Sequence, residues 1–219
     1  VIDCLDLHKH FDDRTILVTG VITQESIAFH VARVAQEQGA RVVLTGYGRM
    51  SLVRKIAQRL PQPAPVVELD ITDPGQVDSL AERLREHVDC LDGVLHAIAF
   101  APQETMGGQF LNASWQDVAV AMHTSTYSLP ALARGVRPLL RSGSSIVGLD
   151  FDAQVAWADY DWMGVAKAGL ESAARYLARD LGPAGIRVNL VAAGPLRTMA
   201  SRHIPGHEDF EALWDKVAP

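Results

Sequence analysis

The stretch TILVTGVITQESIAFHVARVAQEQG at residues 15–39 contains a β-rich run, a turn and a helical run in that order. Residues 15–19 are mostly aliphatic or β-branched and lead into Gly20, which predicts a short buried strand. Residues 27–39 space their apolar side chains as a helix does and stop at a glycine. Strand, turn and helix in this order predict one unit of an α/β fold.

The same alternation continues along the chain. The strands are nearly continuous apolar runs, as in parallel sheets that are buried on both faces. Right-handed crossovers between them predict a Rossmann-like, doubly wound parallel sheet in three layers. Ligands bind beyond the carboxyl ends of such strands, so we expect the functional residues there. The pattern predicts further strands at residues 41–45, 65–69, 93–97, 145–149 and 186–191, and helices at residues 50–60, 75–88, 114–141 and from Tyr160 onward.

Composition predicts one domain over residues 1–219. The chain is 48% hydrophobic and no linker-like segment divides it, so one large core is expected. Residues 1–10 are expected to be a flexible lead-in, and residues 199–216 a substrate loop or lid. The net charge of −6 is interspersed along the chain, which disfavours nucleic acid and anionic membranes as partners.

Cysteine usage and hydropathy indicate a cytoplasmic protein. Cys4 and Cys90 cannot form a disulfide framework and match no metal-ligand spacing, so no metal site is predicted. No apolar run reaches the roughly 18 residues of a membrane span. The first residues, Val1 to Asp6, also lack the pattern of a signal peptide.

Tyr160 and Lys167 are the strongest candidates for catalysis. They lie seven positions apart, so on a helix they share one face about 10 Å apart and the lysine can reach back toward the phenol. A phenol near an ammonium can donate a hydrogen bond to a carbonyl oxygen that gains negative charge as hydride is accepted. Taken alone, such a pair is more often a half-buried aromatic residue and a solvated amine.

The ends of the first three predicted strands indicate a nucleotide site. Only Gly20 remains of the three glycines typical of dinucleotide-binding turns, but Ser26 stands at a helix N-cap, where an anion could bind. A capped helix without a ligand is the alternative. Tyr47 could pack beside adenine. No acidic residue follows the second strand to accept bonds from the adenosine ribose, and Arg49 could accommodate a 2′-phosphate. NADPH therefore stays possible as the coenzyme, although NADH is favoured. Asp70 could accept a bond from the adenine amino group or cap a helix.

The later strand ends add residues around the candidate pair. His96, at the fourth strand, is expected to be a packed core histidine rather than a catalyst. Phe151 follows the fifth strand and should place an aromatic ring near the Tyr160 phenol. After the sixth strand, the turn at residues 194–195 and the Thr198 hydroxyl could hold a carboxamide and a pyrophosphate.

Taken together, these residues make positions 11–219 resemble the short-chain dehydrogenase/reductase superfamily, and within it the NADH-dependent enoyl-acyl-carrier-protein reductases. Ordinary short-chain reductases have a TGxxxGxG turn and three residues between the tyrosine and the lysine. The enoyl reductases have a Gly-x5-Ser-x-Ala turn and six, and this chain has that pattern in Gly20, Ser26 and Ala28 and in Tyr160 and Lys167. The sequences of residues 26–30, 145–151 and 189–195 look closest to the subgroup that elongates long-chain, mycolate-type acids.

The resemblance implies NADH-dependent reduction of a trans-2-enoyl thioester, carried on acyl carrier protein or CoA, in fatty-acid biosynthesis. Tyr160 would bond the thioester carbonyl, and Lys167 would hold the nicotinamide ribose. Phe151 would position the acyl group, and Met163 and Met199 would line the pocket. A homo-oligomer, a tetramer in the family, is also implied. The family's nucleotide contacts fall on Gly20, Ile22, Ser26, Ile27, Asp70, Ile71, Ile98, Lys167, Leu196 and Thr198.

The sequence departs from the family pattern in three places. Ala97 stands where the subgroup commonly has serine, which removes one phosphate or water contact. The loop from Thr198 is shorter than in the long-chain subgroup, so a shorter acyl chain is expected. The family continues beyond Pro219 with a helix and a last strand, on the order of 40 residues.

A chain complete at Pro219 would leave its sheet edge unprotected and assemble differently from its relatives. Two other functions remain open at this point. One is a short-chain reductase of another ketone or enone, and the other is a non-catalytic nucleotide-binding homologue.

Overall fold

The computed structural model describes residues 11–194 and residue 196. The described part of the chain contains a six-stranded parallel sheet with the strand order β3-β2-β1-β4-β5-β6. The strand order reverses between β1 and β4, which is where doubly wound sheets open a ligand crevice. The strands are β1 (Thr15–Val18), β2 (Arg41–Gly46), β3 (Val66–Glu68), β4 (Leu91–His96), β5 (Leu140–Asp150) and β6 (Arg187–Ala192).

Helices cover both faces of this sheet. They are α1 (Ile27–Glu37), α2 (Met50–Ala57), α3 (Pro74–Asp78), α4 (Leu80–Arg85), α5 (Trp115–Met122), α6 (Ser128–Val136) and α7 (Asp161–Leu181). A π-helical turn, His123–Tyr127, joins α5 to α6, and short 3-10 turns cover Gln103–Thr105, Arg137–Leu139 and Gly182–Ala184. The predicted three-layer, doubly wound α/β fold is confirmed, including all six strands.

Two predicted helices are interrupted. The helix expected at residues 75–88 is two short helices, because the Ser79 hydroxyl donates to the carbonyl of Gly75 at 2.8 Å and competes with the backbone at the junction. The helical run expected at residues 114–141 widens into the π turn and ends before residue 140, because residues 140–141 already belong to β5. In the π turn the Thr126 hydroxyl donates to the carbonyl of Ala166 in α7 at 2.6 Å, which ties the turn to the neighbouring helix.

The core is divided by the sheet into two layers. Leu17 and Val18 are adjacent in β1 and both fully buried, and they belong to the two different layers. This is the alternation expected of a strand covered on both faces. On one face, Ala28 and Ala32 of α1 are buried against the sheet, and their small side chains let the helix approach closely. Each buried leucine contributes roughly 1.5–3 kcal/mol to folding.

An ion-pair cluster joins strands at the amino end of the sheet, opposite the ligand edge. The Asp92 carboxylate accepts bonds from Arg141 at 2.5 Å, from Arg14 at 3.0 Å and from the main-chain N–H of Thr15 at 2.9 Å. Burial raises the pKa of Asp92, but these bonds outweigh it and the pKa lies below its ordinary value. Asp92 therefore ties β4 to β1 and β5.

Within residues 11–194 and residue 196, no helix has the length and apolarity needed to cross a bilayer. The same part of the chain holds no group of three or more His, Cys, Asp or Glu side chains arranged to bind a metal ion.

Candidate active site

The turn after β1 packs directly on the end of β4. Gly20 has φ +76°, and a Cβ at this position would overlap the carbonyl oxygen of Ala97. The Thr19 hydroxyl donates to the carbonyl of Leu95 and accepts from the N–H of Ala97, both at 2.9 Å. Only glycine satisfies this conformation and this close approach together. The turn is therefore fixed against β4 at the point where the strand order reverses.

Ser26 caps α1 as predicted. Its hydroxyl accepts from the N–H of Phe29 at 3.2 Å and donates to the carbonyl of Thr23 at 2.8 Å. The N-terminus of α1 consequently begins at this edge of the sheet, where its free N–H groups carry partial positive charge. Ile22, in the same turn, is 53% exposed. The cap and an anion site are compatible, because Ser26 occupies only one of the free N–H groups.

Tyr47 and Asp70 follow β2 and β3 at the same edge. Tyr47 is 66% exposed. Asp70 accepts from the N–H and the hydroxyl of Thr72 at 2.9 and 2.7 Å, whereas α3 is capped by Asp73. The helix-capping alternative for Asp70 is therefore wrong, because Asp73 stands one residue before Pro74 and takes that role. The Ile71 side chain is buried in the core.

The ring of Phe151 lies against Tyr160, as predicted. Their centroids are 4.6 Å apart and their planes are inclined by 60°. Tyr160 stands immediately before α7, at its N-cap, because the helix starts at Asp161. Met163 lies one turn later and its N–H donates to the carbonyl of Tyr160 at 2.8 Å. Burial raises the pKa of Tyr160 above its ordinary value, which keeps the phenol protonated at neutral pH.

Both neighbours of Tyr160 have strained backbone. Asp159 has φ +64° and Asp161 has φ +40°. Positive φ is energetically unfavourable for any residue other than glycine. The loop between β4 and α5 holds both of them. The N–H of Gly107 donates to the carbonyl of Asp159 at 2.9 Å, and the N–H of Gln109 donates to the Asp161 carboxylate at 2.8 Å.

An aromatic stack completes this anchor. The Trp162 ring stacks on Phe110 with centroids 4.8 Å apart, and its indole N–H donates to the Phe110 carbonyl at 2.9 Å. We call residues 107–110 the anchor loop. Nothing in the sequence pattern predicted this loop beyond the adjacent glycines at residues 107–108, which are a signal for a turn.

Lys167 is buried and reaches the end of β5. Lys167 is only 7% exposed, and its ammonium donates to the carbonyl of Leu149 at 2.6 Å. The ammonium nitrogen also lies 3.8 Å from a carboxylate oxygen of Asp150. Burial lowers the pKa of Lys167, and the charge of Asp150 opposes that effect. The sequence predicted the helix face of Lys167 but missed Asp150 as its charged neighbour.

His96 is a packed core histidine, as predicted. It is fully buried, and its Nε2 lies 2.8 Å from the Ser128 hydroxyl. Burial, with a smaller effect of the Lys167 charge, lowers the pKa of His96 to about 3. The imidazole is therefore neutral at physiological pH.

Several predicted residues lie outside the described part of the chain. These are Thr198, Met199, Pro195, the lead-in at residues 1–10 and the loop at residues 199–216. Of the remaining nucleotide candidates, Leu196 is 52% exposed, and Ile27 and Ile98 are partly buried.

Comparison with known proteins gives a consistent set of relatives. Residues 20–219 match the family model described as Enoyl-(Acyl carrier protein) reductase. The chain is similar to an enoyl-acyl-carrier-protein reductase (NADH) of Mycolicibacterium smegmatis, with 46% identity over 222 residues, 95% of this chain and 82% of that protein.

More distant relatives have related names. An enoyl-acyl-carrier-protein reductase (NADH) FabI of Bacillus subtilis is 35% identical over 206 residues, 92% of this chain and 79% of that protein. An enoyl-acyl-carrier-protein reductase (NADPH) FabI of Staphylococcus aureus is 36% identical over 214 residues, which are 96% of this chain and 84% of that protein. The family match extends over the β1 turn, Tyr160 and Lys167 alike.

Proposed function

Because the chain belongs to the enoyl-acyl-carrier-protein reductase family, we propose that it reduces trans-2-enoyl thioesters to saturated acyl thioesters with NADH in fatty-acid biosynthesis. The acyl group would be carried on acyl carrier protein or CoA. The observation that carries the proposal is the half-buried Tyr160 phenol, which lies beside Phe151 and immediately before α7, the helix that carries the buried Lys167 ammonium. The names of the relatives favour this reaction over a ketone reductase or a non-catalytic homologue.

The residues at the carboxyl ends of the strands fit a dinucleotide. The α1 N-terminus offers free N–H groups for the pyrophosphate beside the tight turn at Gly20. Ile22, Tyr47 and Leu196 are each more than half exposed after β1, β2 and β6, and a bound nucleotide would cover such apolar surface. Asp70, Ile71 and Ile98 would contact the adenine end, with Ile71 restricted to its main chain because its side chain is buried.

The coenzyme NADH supplies the hydride when it is bound. Tyr160 donates a hydrogen bond to the thioester carbonyl oxygen, which becomes negative as the β-carbon is reduced. Because burial keeps the phenol protonated, Tyr160 is in the form that can donate. Addition of hydride at the β-carbon leaves an enolate, which takes a proton from solvent water at the α-carbon and yields the saturated thioester.

Five further side chains would position the reactants. Lys167 would hold the nicotinamide ribose hydroxyls through its buried ammonium and add positive potential near the developing oxyanion. The Phe151 ring, in contact with the phenol, would restrict Tyr160 and give the acyl group an apolar wall. Met163 and Met199 would line the acyl pocket. Thr198 would contact the pyrophosphate or carboxamide.

Turnover of purified protein tests the proposal directly. NADH oxidation is followed with crotonyl, octenoyl and hexadecenoyl thioesters, and NADPH is compared as coenzyme. We expect turnover with NADH, and we propose a preference for the shorter acyl chains. Tyr160→Phe should lower kcat on the order of 100-fold, the scale of a lost oxyanion donor, while NADH affinity stays within about twofold.

The matched control is Tyr176→Phe, an exposed tyrosine on α7, the helix that Tyr160 precedes, and this variant should keep its full rate. Folded protein that binds NADH but reduces none of the thioesters would refute the reaction. Equal rates for Tyr160→Phe and wild type would refute the role of the phenol.

We also propose that the protein is a cytoplasmic homo-oligomer that associates through α5 and α7. These helices pack together, and exposed apolar residues remain on them, including Trp115, Val120 and Val165. Exposed apolar patches of this kind mark subunit contacts. Light scattering should show a tetramer that Val165→Glu dissociates, whereas Leu52→Glu, also exposed but on α2, should not. A monomeric wild type would contradict this.

A further inference from the structure

Asp150 and Lys167 form a buried charged pair at the end of β5. The exposed fractions of the two side chains are 3% and 9%, and the distance from Oδ1 to Nζ is 3.8 Å. Among the residues that the structure describes, Oδ1 has no hydrogen-bond partner. The ammonium is held by the neutral Leu149 carbonyl at 2.6 Å. The carboxylate therefore acts on the lysine mainly through its charge.

Burial works against both charges in this pair. It raises the pKa of Asp150 and lowers that of Lys167, and in each case the partner's charge opposes the effect of burial. A buried ammonium that loses its counter-ion carries an uncompensated charge, which is costly in a poorly solvated site. Without Asp150, the lysine would release its proton at a lower pH.

Within residues 11–194, the other titratable groups around Lys167 do not replace Asp150. His96, from β4, is neutral because burial lowers its pKa to about 3. Glu171, on α7, lies 3.8 Å from Arg175 and is partly exposed. Asp152 is exposed in the loop after β5, and Tyr160 is an uncharged phenol. From the π turn, Thr126 offers a hydroxyl to the α7 main chain.

We propose that Asp150 is a positioning residue that keeps the buried Lys167 ammonium charged and held at the end of β5, ready for the ribose hydroxyls of the coenzyme. The inference rests on the proposed function only in taking NADH as the ligand. It assigns Asp150 a role in coenzyme binding through Lys167 rather than by contact with the substrate.

NADH binding as a function of pH tests the inference. Fluorescence titrations are made from about pH 7 to pH 10, across the range in which a buried lysine loses its charge. The parent protein carries Tyr160→Phe, so that ionisation of the phenol does not contribute. We expect Asp150→Asn to shift the alkaline loss of NADH affinity to lower pH by about one pH unit or more.

Asp152→Asn is the matched control. It removes the same charge two residues away, and its amide oxygen can still accept the bond from the Gln154 N–H. This variant should bind NADH like the parent at every pH. A shift equal to that of Asp150→Asn would overturn the inference, because it would reflect net charge alone.

Superposed pH curves for the parent and Asp150→Asn would also overturn it. Thermal unfolding identifies a variant that does not fold, and Asp150→Ser, a second neutral replacement, is then measured in the same way. The outcome is separable from the proposed function. Failure of wild-type turnover with normal pH-dependent NADH binding would refute the reaction and leave the role of Asp150 intact.

Discussion

Replacing Asp161 should disturb the backbone that presents Tyr160. Asp161 has φ +40° and its carboxylate accepts from the Gln109 N–H at 2.8 Å. Alanine at this φ costs about 1–2 kcal/mol, and loss of the largely exposed hydrogen bond costs about 1 kcal/mol more. We therefore expect Asp161→Ala to cost about 2–3 kcal/mol locally, which corresponds to a fall in kcat of up to about 100-fold if all of it acts on the alignment of Tyr160.

Two further substitutions separate the contributions of strain and hydrogen bonding. Asp161→Gly adopts positive φ without strain but loses the hydrogen bond from the Gln109 N–H. Asp161→Asn tolerates positive φ and also keeps an acceptor for that bond. The expected order of kcat is Asn above Gly above Ala. NADH affinity should change by less than about twofold in all three, because Lys167 lies further along α7.

Steady-state kinetics of enoyl-thioester reduction and NADH titration give both quantities, and urea unfolding reports any global loss of stability. Equal kcat for Asp161→Ala and Asp161→Asn would refute the argument that strain and the anchor loop align Tyr160.

Three other outcomes follow from described contacts. Gly20→Ala should destabilise the fold in urea unfolding by more than the roughly 1–2 kcal/mol that positive φ alone costs, because its Cβ would also overlap the Ala97 carbonyl oxygen. NADH binding should weaken as well, and wild-type stability would contradict this prediction. Asp92, whose folded pKa is lowered by its bonds, stabilises the protein above its unfolded pKa and loses that contribution as pH falls through the folded pKa. Asp92→Asn should therefore flatten the acid end of a stability-against-pH curve. The folded pKa of His96 is about 3, so between about pH 6 and pH 3 only the unfolded state binds its proton. As the pH falls through this range, the free energy of unfolding should decrease by up to about 1.4 kcal/mol per pH unit. His96→Asn should remove this slope, and an unchanged slope in that variant would contradict the prediction.

The fold could be predicted because its signals are local. Six apolar runs alternate with helical patterns, and each run is confirmed as a strand. The interruptions at Ser79 and at residues 123–127 could not be predicted, because they depend on side-chain hydrogen bonds. In the π turn the deciding bond joins Thr126 to Ala166, 40 residues away in sequence. No periodicity in the sequence records such a contact.

Individual residues of the candidate site were predictable where a strand end or a helix cap supplied the reason, as for Ser26 and Phe151. Asp150 was missed because its role depends on burial and on the approach of Lys167 from another element. Asp161 was missed because positive φ in a non-glycine residue leaves no mark in sequence periodicity. The anchor loop was missed for both of these reasons. It depends on contacts between residues 107–110 and the start of α7, and on the positive φ of the residues it holds there.

Because β1 lies between β2 and β4 in the sheet, it can be fully paired only late in the synthesis of the chain. Thr19 bonds to Leu95, 76 residues later, and the turn at Gly20 packs against Ala97. At about 5–20 residues per second, a ribosome needs several seconds to make the intervening segment. A nascent chain that has formed β1, α1 and β2 but not β4 therefore leaves one edge of β1 unpaired and the turn at Gly20 without its contacts to β4. The bonds and contacts that fix the turn at Gly20 therefore cannot form until β4 and Ala97 have left the exit tunnel.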